Sequence, residues 1–124
     1  MAVLVDTDVL IWHLRGYSQT AQSLNRLPML MLSAMSYLEL LQGMRNKEEL
    51  VAVQKMFVLR NAIILPFTPS ITARATELMA ALALSHGLQA ATALEHQMSL
   101  LTGNGKDFAP IAELHIEKFA LAPA

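Results

Sequence analysis

The sequence predicts an α/β domain with a mostly parallel central sheet and helices on both faces. Three observations carry that prediction. Short apolar runs alternate with longer helical segments along all 124 residues. The apolar runs are continuous rather than alternating, as in strands buried on both sides. Acidic and small polar residues directly follow two of these runs, where open α/β sheets place their ligand sites.

The elements follow in order. Val3–Val5 reads as the first strand. Val9–Leu14 reads as a helix stopped by Gly16. Thr20–Leu27 reads as a second short helix, ended by Pro28. Met29–Leu32 reads as a strand, and Ala34–Met44 as a helix with Ser33 or Ser36 as its cap. Glu48–Arg60 is helical, and Ile63–Phe67 is an apolar strand closed by Pro66 and Pro69. Ile71–Leu84 is Ala-rich and helical, ending at His86-Gly87. Ala90–His96 reads as a short helix, Ser99–Leu101 as a strand and Ile116–Phe119 as a last short strand. No linker, repeat or low-complexity stretch divides residues 1–124, so one domain is expected, long enough to bury a core.

Composition narrows the function. Hydrophobic residues make up 54% of the chain and mean hydropathy is +0.40. The longest apolar stretches, Leu27–Met35 and Ala80–Leu84, are broken by Pro28, Ser33 and Ser85, so no membrane span is expected. Met1-Ala2 carries no basic side chain, so no signal peptide is expected and a cytoplasmic location fits. The apolar excess predicts an oligomer or partner interface. There is no cysteine, which excludes disulfide and thiolate chemistry. A net charge of −1 argues against tight, nonspecific nucleic-acid binding, while leaving room for local contact.

Most acids read as solvated faces or helix ends: Glu48, Glu49, Glu77, Glu95, Glu113 and Glu117. Three places stand apart. Asp6 ends the first strand, where a carboxylate is costly unless something such as a divalent metal satisfies it. A helix cap is the competing role, and Asp8 suits that role better than Asp6. Glu39 lies in an apolar helix, where Ser36-x-x-Glu39 also fits a capping box. Thr102-Gly103-Asn104-Gly105-Lys106-Asp107 follows the strand Ser99–Leu101. It reads either as a turn with Asp107 as an N-cap or as a cluster facing a metal, water or phosphate.

Together these segments resemble the PIN-domain ribonucleases, in particular the VapC toxins of toxin–antitoxin pairs. The resemblance rests on Val5-Asp6-Thr7-Asp8-Val9-Leu10-Ile11, on Ser33 through Glu39-Leu40-Leu41-Gln42-Gly43, on Ala91-Thr92-Ala93 and on Leu100-Leu101-Thr102-Gly103-Asn104 through Phe108. It covers nearly the whole chain. It implies Mg²⁺- or Mn²⁺-dependent cleavage of RNA by in-line attack of water on a phosphodiester. Carried over, the candidate catalytic residues are Asp6, Glu39 and either Asn104 or Asp107. Asp6 and Glu39 would hold the metal. Thr7 and Thr102 would orient them by hydrogen bonds, with Asp8 as a further supporting residue. The resemblance also implies a cognate antitoxin, bound beside Trp12 and Leu41–Met56, and a homodimer.

One departure matters. The family pattern carries an Asp-Ala-Leu-Ile segment before Ala-Ala-Thr-Ala, and its Asp is a core ligand. This chain runs Ser85-His86-Gly87-Leu88-Gln89-Ala90-Ala91-Thr92-Ala93, with no acid between Glu77 and Glu95. Roughly six residues are missing against the pattern, about one and a half helical turns. His86 is a poor substitute, since imidazole suits softer metals. The alternative is therefore a catalytically weakened or dead PIN-like protein that acts by binding an antitoxin or partner. A second rival, a haloacid dehalogenase-type phosphatase opening on Asp6-Thr7-Asp8, lacks the paired acids that chemistry needs.

Trp12 and Tyr37 read as core or interface aromatics. Met29, Met31, Met35 and Met44 read as packing. Arg45, Lys47, Lys55 and Arg60 read as a solvated basic face, with RNA backbone contact as the lesser reading.

Overall fold

Val3–Val5 forms the first strand, β1, because three branched or large apolar residues can be buried on two faces at once. A computed structural model describes residues 2–82 and 87–119. Ser85, His86 and the predicted helix end at Leu84 lie outside the described residues.

After β1 come α1 (Thr7–Leu14), α2 (Ser18–Asn25), β2 (Met31–Ser33), α3 (Ala34–Gln42) and α4 (Lys47–Leu59). Then follow β3 (Ile63–Leu65), α5 (Pro69–Leu82), α6 (Gly87–Glu95), β4 (Ser99–Thr102), α7 (Gly105–Phe108) and β5 (Ile116–Lys118). All strand pairings are parallel. The ladders run β1-β4-β5 and β2-β3, and no ladder joins β2 to β1 among the described residues, although the two strands lie side by side. The expected α/β architecture with parallel strands is present, its strands joined in two ladders.

Alternation along β1 and β4 sends side chains to both faces. Val5 and Leu101 enter a core shared with Val9, Leu10, Leu24, Leu40, Val53 and Phe57 from α1 to α4. Leu4 and Leu100 enter the opposite core with Ala90, Ala93, Phe108 and Ile111. Trp12 packs against Phe119 and Tyr37 against Phe57, each with ring centroids 5.5 Å apart, so both aromatics are packing residues.

The local chemistry of the helix starts differs from expectation in three places. Asp6, not Asp8, is the N-cap of α1. The chain leaves β1 still extended at Asp6 (φ −77°, ψ 159°), and the helix begins at once with Thr7. Ser33 caps α3 by accepting from the Ser36 N–H at 3.0 Å, so Ser36 and Glu39 form no capping box. Asn104, not Asp107, is the N-cap of α7, a single turn in a stretch that read as a loop.

Gly87 opens α6 against α5. A Cβ there would meet Met79 and lie 3.2 Å from the Ala75 carbonyl oxygen. Arg74 of α5 pairs with Glu95 at 3.9 Å and with Glu113 at 3.2 Å, which makes Glu95 a surface partner. No helix among the described residues is long and apolar enough to cross a membrane.

Candidate functional site

The site forms at the carboxyl ends of β1 and β4, which the parallel register places side by side: Val5 faces Leu101, and the Asp6 N–H donates to the Leu101 carbonyl at 2.9 Å. Asp6 is only 6% exposed. Its Oδ1 accepts from the Thr7 N–H at 2.8 Å, and its Oδ2 accepts from the fully buried Thr102 hydroxyl at 2.8 Å. The Thr102 Oγ1 in turn accepts from the Asn104 N–H at 2.9 Å, which curls the loop over the strand end. An ionised acceptor makes such bonds stronger than neutral ones.

Asp8 sits one residue further along. Its Oδ1 accepts from the Val9 N–H at 2.7 Å and its Oδ2 from the Gly103 N–H at 3.0 Å. Burial and then the neighbouring Asp6 charge push its carboxyl up to about 6, against the backbone N–H groups of Val9, Gly103 and Asp8 itself, which pull it down. The Gly103 backbone comes this close because it has no side chain. A Cβ there would fall on the Trp12 indole and lie 2.8 Å from Asp8 Oδ2.

Glu39 arrives from α3. Its Oε1 accepts from the Thr7 hydroxyl at 3.1 Å and from the Gln89 amide at 2.7 Å. Thr7 therefore touches both acids, Asp6 through its backbone and Glu39 through its side chain. Gln89 was absent from the sequence-based set. It is 2% exposed on α6, the only residue other than Thr with hydrogen-bonding side-chain atoms in the buried run Gln89–Ala93. That isolated amide in an Ala-rich helix was the available signal.

The structure thus brings Asp6, Thr7, Asp8, Glu39 and Thr102 together. Asn104 joins through its backbone only, and its side chain makes no capping bond. Asp107 lies exposed on α7, a turn beyond the loop. Arg45 and Arg60 are engaged elsewhere: Arg45 pairs with Glu49 at 2.8 Å and Arg60 donates to Asn25 at 3.1 Å.

Asp6 and Glu39 offer hard oxygen donors. Mg²⁺ is commonly held by one or two carboxylates with waters completing its shell, so this donor set fits such an ion. Among the described residues no group of three or more His, Cys, Asp or Glu is placed to hold a metal, so the fit is that of a two-carboxylate site.

A parallel sheet with acids gathered at the carboxyl ends of its strands defines a small α/β domain with its site at that edge. Among such domains, the chain belongs to the PIN domain family, whose profile matches residues 3–114. Comparison with curated proteins finds no match. Among solved structures, the chain is similar to VapBC2 from Rickettsia felis bound to a promoter DNA fragment, with a TM-score of 0.84 at 22% identity, over 97% of this chain and 100% of that one. It is similar to a toxin–antitoxin complex from Klebsiella pneumoniae, with a TM-score of 0.77 at 27% identity, over 91% and 95%. DNA-bound VapBC from Salmonella typhimurium gives 0.82 at 19% identity, over 97% and 99%.

Proposed function

We propose that this protein is the nuclease toxin of a toxin–antitoxin pair, cutting RNA phosphodiesters with Mg²⁺ or Mn²⁺. The observation that carries the reading is the hydrogen-bonded chain Thr102–Asp6–Thr7–Glu39, which gathers two carboxylates from separate elements at one strand end. The family membership and the toxin–antitoxin complexes among its structural neighbours support it.

Asp6 and Glu39 would hold the cation. When bound, the ion supplies positive charge against the phosphodiester and eases proton loss from the attacking water. The chain's own contribution is preorganisation. Thr102 and the Thr7 N–H fix both oxygens of Asp6, and the Thr7 hydroxyl together with the Gln89 amide holds Oε1 of Glu39, so little reorganisation is needed when charge develops. The Asp8 carboxyl is pushed up to about 6 by burial first and by the Asp6 charge second.

The antitoxin would lie in the cavity of about 300 Å³ lined by Ile11, Leu14, Arg15, Met44, Arg45 and Val53, between α1, the end of α3 and α4. Exposed Leu38, Ile63, Ile64 and Phe67 support a second copy as a further partner. One alternative is a weakened nuclease that acts chiefly by binding, since α6 offers this site the Gln89 amide and carries no acid before Glu95.

RNA cleavage with and without Mg²⁺ tests the reading, using wild type and Asp6→Ala. Cleavage should require the ion and fall at least about a hundredfold in the variant, which loses its ligand. Its fold should survive with a loss of about 1 kcal/mol from the missing cap. Equal cleavage by the two proteins would sink the assignment. Antitoxin binding by a wild type that cuts no RNA would select the alternative.

A further inference from the structure

Gln89 has no packing reason to be an amide. It lies between Leu88 and Ala90 on a helix whose other buried positions are Gly87, Ala90, Ala91, Thr92 and Ala93. An apolar side chain would be less costly to bury there. Its Nε2 is spent on Glu39, at 2.7 Å, in the shortest side-chain bond that carboxylate receives. Glu39 cannot be held by Thr7 alone in the same way, because one hydroxyl leaves the carboxylate free to pivot about a single contact.

We infer that the Glu39–Gln89 pair sets this site's grip on a divalent cation. Gln89 is a positioning residue that aims Glu39 beside Asp6, and its neutrality holds the pair to one negative charge. The inference deepens the proposed metal-dependent function and rests on it. Cation affinity in oxygen-ligand sites follows the number of charged ligands and the rigidity with which they are held. A site with one carboxylate from β1 and one from α3 is therefore loaded at higher cation concentration than the same site with an acid on α6.

The test is Mn²⁺ affinity by isothermal titration calorimetry, with Tb³⁺ luminescence sensitised by Trp12, the single tryptophan, as a second readout. Four proteins form the charge series: wild type, Glu39→Gln, Gln89→Glu and the double swap Glu39→Gln/Gln89→Glu. The pair then carries one, no, two and one carboxylates. Glu39→Gln should weaken Mn²⁺ at least about tenfold and Gln89→Glu should tighten it about tenfold, following ligand charge. The swap should return to within about threefold of wild type, because charge count is restored. Gln89→Leu, which keeps volume and neutrality, should weaken binding about tenfold through loss of orientation alone.

The swap keeps wild-type charge, so the inference stays testable if buried like charges unfold Gln89→Glu. Wild-type affinity in Gln89→Glu, or a swap no tighter than Glu39→Gln, overturns the inference. If Asp6→Asn still abolishes binding in that case, the metal-site reading survives on its own. Mn²⁺ binding by none of these proteins would overturn both.

Discussion

The strand ends of β1 and β4 and the corner between α4 and β3 are opposite kinds of surface. At the first, polar groups are buried and answered: both oxygens of Asp6 and both of Asp8 accept hydrogen bonds. At the second, apolar groups are left in water, with Val58 76% and Leu59 77% exposed, followed by exposed Ile63 and Ile64 on β3. Buried polar atoms are tolerated when each has a partner, whereas exposed apolar area of this kind marks a surface suited to cover by another chain. The first region is complete within one chain; the second gains stability only from association.

Changes at the two regions should therefore differ in kind. Thr102→Val keeps the shape but removes the hydroxyl that serves both Asp6 and the Asn104 N–H. It should lower unfolding free energy by about 3 kcal/mol, the upper range for stranding a buried charged partner. Urea denaturation checks this, and a loss below 1 kcal/mol would mean the strand-end network is slack. Gly103→Ala should cost about 2 kcal/mol, because its new methyl group must displace the Trp12 indole or break the bond to Asp8. A shift in Trp12 fluorescence should accompany it.

The pH dependence is smaller and has a definite sign. Asp8 binds its proton more tightly folded, near 6, than unfolded, near 3.8. Between these values the folded state carries the extra proton, so the contribution of Asp8 to stability falls as pH rises from about 4 to about 6 and is level above. Asp6→Asn removes the second cause of the shift and should move this window down, as carboxyl NMR titration would show. An unmoved titration would break the link between the two acids. At the other region, Val58→Ser with Leu59→Ser should change monomer stability by less than about 0.5 kcal/mol. It should nonetheless reduce self-association or partner binding, measured by analytical ultracentrifugation. A large stability loss would erase the contrast.

The fold class was legible because Val3–Val5 and Leu100-Leu101 are apolar runs followed by polar residues, and the positions of Asp6 and Thr102 followed from those strand ends. Local hydrogen-bond competition was not. Ser33 and Ser36 are equally good caps by type, and only the extended backbone at Ser33 decides between them. Glu39 fits a capping box by spacing, yet it is drawn away by Thr7 and Gln89, 32 and 50 residues distant. Gln89 escaped notice because an amide carries no charge to count. α7 escaped because two glycines in Gly103-Asn104-Gly105 read as a turn. Of the basic residues around α4, Arg45 is paired with Glu49.

The bond from Thr102 to Asp6 spans 96 positions of the chain. Synthesis is vectorial, and Asp6 leaves the ribosome long before its partner hydroxyl exists. Until β4 emerges and slots beside β1, the first acid is a solvated side chain on an unpaired strand. A translation product stalled between residues 39 and 102 would carry both carboxylates but lack the hydroxyl that holds the second oxygen of Asp6. The strand-end network is therefore closed only near the end of translation, a delay written into the order of the strands.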